Sequence, residues 1–177
     1  GGGGFGDPYD RSPEDIEQDL EDFAITPEAA KDIYGAILDD DGRVNVNRTQ
    51  AERARVRSAR VNGGASLRKG KLVFEAGAGL NILRDHTGEY WACSKCSGDL
   101  GPLTANYKDS CVREDKKVSS SNPLIGDPSR FIDDPVVFRQ FYCRSCGTLL
   151  DNEIATNADP VLQDLSPRTA ERNKTPD

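Results

Sequence analysis

Two Cys-x-x-Cys pairs constrain this chain more than any other feature: Cys93-Ser94-Lys95-Cys96 and Cys143-Arg144-Ser145-Cys146. Each follows a short aromatic run, Tyr90-Trp91-Ala92 or Phe141-Tyr142, so each sits where a strand is expected to turn. Thiolates two residues apart on a tight loop can grip one metal, because the loop's N–H groups point at the sulfurs and stabilise their charge. Two such loops supply four soft ligands, which suits a closed tetrahedral zinc site. Cys93, Cys96, Cys143 and Cys146 are therefore expected to hold a structural Zn2+. Gly147 follows the second pair directly, whereas Ser97 intervenes before Gly98 after the first. The 46 residues between Cys96 and Cys143 are too many for a compact ribbon, so an insertion must loop out between the knuckles.

The competing readings of the cysteines are weaker. Four sulfurs fill the coordination sphere and leave no position for a catalytic water. A thioredoxin-type dithiol needs a βαβ context, yet glycines follow both pairs: Gly98 and Gly101 after one, Gly147 after the other. Disulfides imply an oxidising compartment, and no apolar signal segment is present to carry the chain there. The odd cysteine, Cys111, reads as a thiol outside the site, with replacement of a knuckle ligand as its alternative. His86 is the only histidine and lies in Asp85-His86-Thr87-Gly88, a hairpin turn, so it reads as a surface residue and not as a ligand or base.

Composition narrows the partners. Of 177 residues only 36% are hydrophobic, so the structure is expected to lean on zinc, on partners, or on both. Residues 1–42 carry thirteen acids against Arg11 and Lys31, while residues 43–60 carry six arginines against Glu52. A net charge of −7 repels phosphate at long range, which argues against a nucleic-acid partner. The arginines Arg53, Arg55, Arg57 and Arg60 read instead as a helix face that meets acidic neighbours. No apolar run reaches membrane-spanning length, so no membrane partner is expected. The chain starts on four glycines and contains no methionine, which suggests a trimmed start or the C-terminal part of a longer polypeptide.

Along the chain, Ser12-Pro13-Glu14-Asp15 and Thr26-Pro27-Glu28 are two helix starts, each with an N-cap, a proline at the first position and acids at the positive dipole end. Ile16, Leu20 and Phe23 form one apolar stripe; Ala30, Ile33, Tyr34 and Ile37 form the next. Neither helix can bury its stripe alone, so residues 1–60 are expected to contact a large neighbour and to touch the zinc module little. Asp39 to Gly42 reads as a solvated turn, because the twelfth position of a calcium loop counted from Asp39 is Gln50. Asn47 is expected to cap a third helix that ends before Gly63-Gly64, taken as a boundary. Strands follow from Ser66, and after Ile154 the chain becomes an extended arm ending in disorder. The expected fold is α+β: short amphipathic helices over 1–64, a small β zinc-ribbon module with a long insertion over 65–155, and an extended docking arm over 156–177. No residue is expected to be catalytic, since the acids show no sign of converging on a pocket.

Two stretches resemble known families. "GGGGFGDPYDRSPEDIEQDL" with "ITPEAAKDIYGAILDDDGRV" resembles the C-terminal tail of the hydantoinase B/oxoprolinase family over roughly residues 1–60. Asn106-Tyr107-Lys108, "RQFYCRSCGTLLDNEI" and "DPVLQDLSP" make the second part similar to the gamma subunit of acetone carboxylase, although Ser97 stands before the first-knuckle glycine and the long N-terminal part of that subunit is absent. The resemblance implies a cytoplasmic, multi-subunit carboxylase of the acetone or acetophenone type. Such an enzyme uses ATP to activate a ketone and bicarbonate, on large hydantoinase A-like and hydantoinase B-like subunits that hold ATP and a catalytic divalent metal. It also implies a small zinc-binding subunit that packs on the large ones and is non-catalytic by itself. The alternatives that stay open are part of an ATP-dependent hydantoinase or 5-oxoprolinase, which hydrolyses a cyclic amide, and a free-standing zinc-ribbon adaptor.

Overall fold

A computed structural model describes residues 6–61, 64, 68–121 and 125–167. The opening glycines and Phe5, most of the 62–67 boundary and the expected disordered end at 168–177 lie outside the described residues.

Helices α1 (Pro13–Glu21) and α2 (Pro27–Asp32) start where the sequence places them. The Ser12 hydroxyl accepts from the Asp15 N–H at 3.0 Å and Thr26 from Ala29 at 3.2 Å. Both helices end earlier than their stripes. Phe23 lies beyond α1 with φ +55° and is 93% exposed, and Ile33 lies beyond α2 and is also exposed. The chain leaves α2 through Gly35, at φ +62°, with the Ala36 N–H bonded back to the Ala30 carbonyl at 3.0 Å. With the Gly35 N–H bonded to the Lys31 carbonyl at 3.1 Å, the closure is of the αL type, which needs a left-handed residue. It turns Ala36 inward, so the small core here is Ile16, Ala30, Ala36 and Val44, with Leu20, Tyr34 and Leu38 packed against it. The two helices thus bury part of their stripes on one another.

The Asp39–Gly42 turn closes a one-bridge hairpin, Leu38 opposite Val44. Helix α3 (Val46–Arg60) follows, and its cap is Asn45, two residues before the one expected. Asn45 accepts from the Arg48 N–H at 2.9 Å while its amide holds the Asp39 carboxylate at 3.0 Å, so one side chain fixes both the turn and the helix start. Thr49 and Arg53 tie α3 to the first core through the Ile37 N–H and the carbonyls of Tyr34 and Arg11, all at 2.9 Å.

Two antiparallel sheets make the rest. The first has the order β1 (Lys71–Gly77), β2 (Leu80–Asp85), β3 (Gly88–Cys93) and β4 (Asp99–Pro102). The second has the order β5 (Val112–Lys116), β6 (Val136–Tyr142) and β7 (Leu149–Thr156). The long insertion is therefore structural in part, since its β5 is the third strand of the second sheet. Leu80, Ile82, Trp91, Leu100, Leu103, Tyr107 and Leu150 form the main core, with Cys93 and Cys143 at its edge.

Residues 6–60 do meet the cysteine-bearing module, contrary to expectation. The Asp7 carboxylate accepts from the Leu149 N–H at 3.1 Å and pairs with Arg57 at 2.7 Å. Asp10 pairs with Lys95, inside the first knuckle, at 2.6 Å. The Arg60 guanidinium lies between the rings of Tyr9 and Tyr142, 4.9 and 4.2 Å from their centroids. The expected exchange between the acidic opening and the arginine block is real for Arg57, but its consequence is to seal the opening segment and the end of α3 onto the ribbon.

Candidate metal centre

The first knuckle joins β3 to β4 and the second joins β6 to β7, so each pair of cysteines begins where a strand ends. The backbone repeats itself. The Cys93 N–H bonds to the Gly98 carbonyl and the Cys143 N–H to that of Thr148, at 3.0 and 2.9 Å. The N–H four residues beyond the first cysteine then bonds back to it: Ser97 to the Cys93 carbonyl at 2.9 Å, Gly147 to that of Cys143 at 2.8 Å. Those two residues are left-handed, at φ +58° and +70°.

Only one of these positions demands glycine. A Cβ at Gly147 would run into the carbonyl of Arg57, because α3 passes directly over this knuckle. Gly147→Ala is expected to lower stability by about 3 kcal/mol, the sum of left-handed strain and overpacking. It should loosen α3 while metal content stays the same, a separation that hydrogen exchange on α3 beside elemental analysis would show. Ser97 carries the same strain without relief, so Ser97→Gly is expected to raise stability by about 0.5–1 kcal/mol, read from thermal unfolding at fixed zinc concentration.

The fold brings all four expected cysteines together. Cys93 Sγ lies 3.7 Å from Cys146 Sγ and Cys96 Sγ 3.6 Å from Cys143 Sγ, and all four sulfurs fall within 4.8 Å of one another. A tetrahedral site with metal–sulfur bonds of about 2.3 Å sets its sulfurs about 3.8 Å apart. The arrangement could hold a metal ion such as zinc, in a site compatible with a zinc ribbon. Cys93 and Cys143 are buried, and the Ser145 N–H donates to Cys143 Sγ at 3.4 Å. Electrostatics make the same point. The thiols act on one another: hydrogen bonds with Cys143 and Cys146 and then burial raise Cys93, burial is the main cause that pushes Cys96 up to about 12, and hydrogen bonds with Cys143 and Cys93 lower Cys146. Thiols at this spacing cannot all ionise without a cation among them.

Cys111 stays outside the group. Its thiol donates to the Tyr107 carbonyl at 3.4 Å and is pushed up to about 12, chiefly by burial. His86 is exposed in the β2–β3 turn, where its neighbour Asp85 is held by Arg68 at 2.5 Å.

With this geometry in view, the family model for the acetone carboxylase gamma subunit matches residues 68–173, more than half of the chain. The chain belongs to that family. A comparison with curated proteins gave no match. The match takes in both knuckles, both sheets and the described part of the arm, and it begins after α3. A gamma subunit implies a complex of several subunits. Among the described residues, no helix is long and apolar enough to cross a membrane.

One feature of this gamma-family fold escaped the sequence reading: acids do converge. Lys108, only 3% exposed, meets Asp151 at 2.8 Å, Asp164 at 3.3 Å and Glu153 at 3.4 Å. The Tyr107 hydroxyl donates to Asp151 at 2.8 Å. Arg139, fully buried on β6, binds Glu153 at 2.9 Å and donates to the carbonyls of Thr156 and Asp159, both at 2.8 Å. This network joins the insertion, the second sheet and the arm. The only advance signal was the word Asn106-Tyr107-Lys108, whose lysine had no visible partner in sequence.

Proposed function

We propose that this chain is the zinc-bearing assembly element of a multi-subunit, ATP-dependent, cytoplasmic ketone carboxylase, and that it carries no catalytic residue. The observation that supports this best is the four-sulfur cluster set within a gamma-family fold. Cys93, Cys96, Cys143 and Cys146 hold Zn2+, and a sphere filled by four sulfurs has no open position for substrate or water. Zinc ties the two hairpins together and so fixes the surface that the chain offers to other subunits. The acidic network around Lys108 fits the same role, since its three carboxylates are held in ion pairs by Lys108 and Arg139. The division into a helical tail over 1–64, a ribbon over 65–155 and an arm over 156–177 belongs to this reading. So do hydantoinase A-like and hydantoinase B-like partners that hold ATP and a catalytic divalent metal.

The test is ATP hydrolysis by the purified complex. We expect turnover that requires a ketone together with bicarbonate. Turnover driven by hydantoins or lactams would favour the cyclic amide hydrolase reading of the tail resemblance. Substitution of His86, Asp85 or Asp109 by alanine in the assembled complex should leave turnover within a few-fold. A loss of two or more orders of magnitude with assembly and zinc intact would show a catalytic role.

A further inference from the structure

Among the described residues of the ribbon, Phe131, Ile132 and Ile154 are exposed, but β1 alone exposes three large apolar side chains in a row. Leu72 is 54% exposed, Val73 43% and Phe74 62%, on three consecutive residues. They stand on the outer strand of the four-stranded sheet, which among the described residues pairs with β2 on one side only. Register shifts between Leu72 and Phe74 and between Glu75 and Gly77 bend the strand, which helps bring side chains of both faces to the surface. A strand with one open edge and three exposed apolar residues is a liability unless something covers it.

The surroundings of this edge say what the cover must carry. Beside it, a shallow groove of about 810 Å³ is lined by Lys69 to Val73 at the start of β1 and by Arg84, Asp85 and His86 at the end of β2 and its turn, where the two strands pair. Leu72 and Val73 give it apolar surface, and Lys69, Lys71 and Arg84 give it positive charge. Arg84 is already paired with Glu89, and the groove's Asp85 with Arg68. Lys69 and Lys71 have no acidic partner among the described residues, in a chain whose net charge is −7. Cations left unpaired in an acidic protein, beside uncovered apolar residues, mark a surface that fits an acidic and apolar ligand. An open groove beside an unpaired strand edge suits extended chain better than a compact small molecule.

We infer that the open edge of β1 docks an extended acidic and apolar segment of another subunit, which adds beside β1 as a fifth strand. Main-chain hydrogen bonds would give the affinity, the apolar residues the contact area, and Lys69 and Lys71 the register. A second copy of this chain is disfavoured as occupant, since two chains of −7 repel each other at long range. The inference rests on the assembly reading above and gives that assembly a place on the surface.

The test uses the full chain titrated with the remaining subunits of its complex. Hydrogen exchange should slow at least about tenfold at Leu72 to Glu75 on assembly, as unpaired edge amides gain partners. The double variant Lys69→Glu/Lys71→Glu should bind those subunits about tenfold or more weakly, with the deficit shrinking at high salt. Both lysines are exposed, so the variant should keep its fold, which zinc content would confirm. Unchanged exchange on β1, or a variant dissociation constant within about threefold of the parent, would overturn the inference. The assembly reading would then survive through another surface. Failure of the parent chain to bind any other subunit would overturn both, and mass measurements showing self-pairing through β1 would replace the partner with a second copy.

Discussion

Cys143→Ser is expected to release the metal and unfold the knuckle end of the ribbon, whereas Cys111→Ser leaves metal content at one ion per chain. The asymmetry follows from position: Cys143 Sγ is one of four sulfurs within 4.8 Å of one another, and Cys111 is not among them. Structural zinc contributes about 10–16 kcal/mol of apparent binding energy in small zinc-dependent folds, and that energy is folding energy. A whole domain is stable by only about 5–15 kcal/mol, so no other interaction here can replace it. The apolar core beneath the knuckles would lose its closure, since Cys93 and Cys143 are themselves part of it. Acid should act in the same direction, because protons compete with the metal for thiolates and metal is lost as pH falls. Elemental analysis and near-ultraviolet circular dichroism would check this. Full zinc occupancy in Cys143→Ser would refute the assignment.

Lys108→Met should cost about 2–4 kcal/mol, because it leaves the half-buried Asp151 without its cation while Glu153 keeps Arg139. The loss should also free the arm, since Lys108 pairs with Asp164 there and Asn106 beside it bonds the Leu162 carbonyl at 3.3 Å. Faster proteolysis after residue 157 with zinc retained would show the effect. The pH dependence has a definite sign. Burial of Asp151 opposes its charge, but hydrogen bonds from Lys108 and Tyr107 outweigh burial and hold its carboxyl below the ordinary 3.8. Its stabilisation is therefore present above that value and lost as pH falls through the folded one. Burial opposes charge on Lys108 too, but Asp151 and its neighbours raise it above the ordinary 10.5, so that contribution is complete below 10.5 and lost at higher pH. Between roughly pH 5 and 9 the pair contributes fully, and the gap between parent and variant should narrow towards acid as the stranded carboxylates take up protons. A gap that is constant from pH 7 to 4 would mean that lost packing, not lost charge, explains the variant.

Local chemistry was legible in the sequence where it acts over a few residues. The two Cys-x-x-Cys pairs implied knuckles because metal-ligand spacing is a local constraint, and Ser12, Thr26 and their prolines marked helix starts for the same reason. The hairpin at Asp85 to Gly88 was equally visible. Misplacements arose where two local signals compete. Asn45 and Asn47 are both competent caps, and only the bond from Asn45 to Asp39 decides between them. Phe23 and Ile33 continue their stripes in sequence, yet each helix stops short of them.

The sequence by itself determined the α+β character, the knuckles and the four cysteines that meet in them. Tertiary structure alone decided which charges pair. Asp7 reaches Arg57 across 50 residues and Lys108 reaches Glu153 across 45, and neither pairing leaves a periodic trace. An ion pair needs only opposite charge at short range, so every acid in the chain is an equal candidate until the β6–β7 register and the path of α3 over Gly147 bring particular ones together.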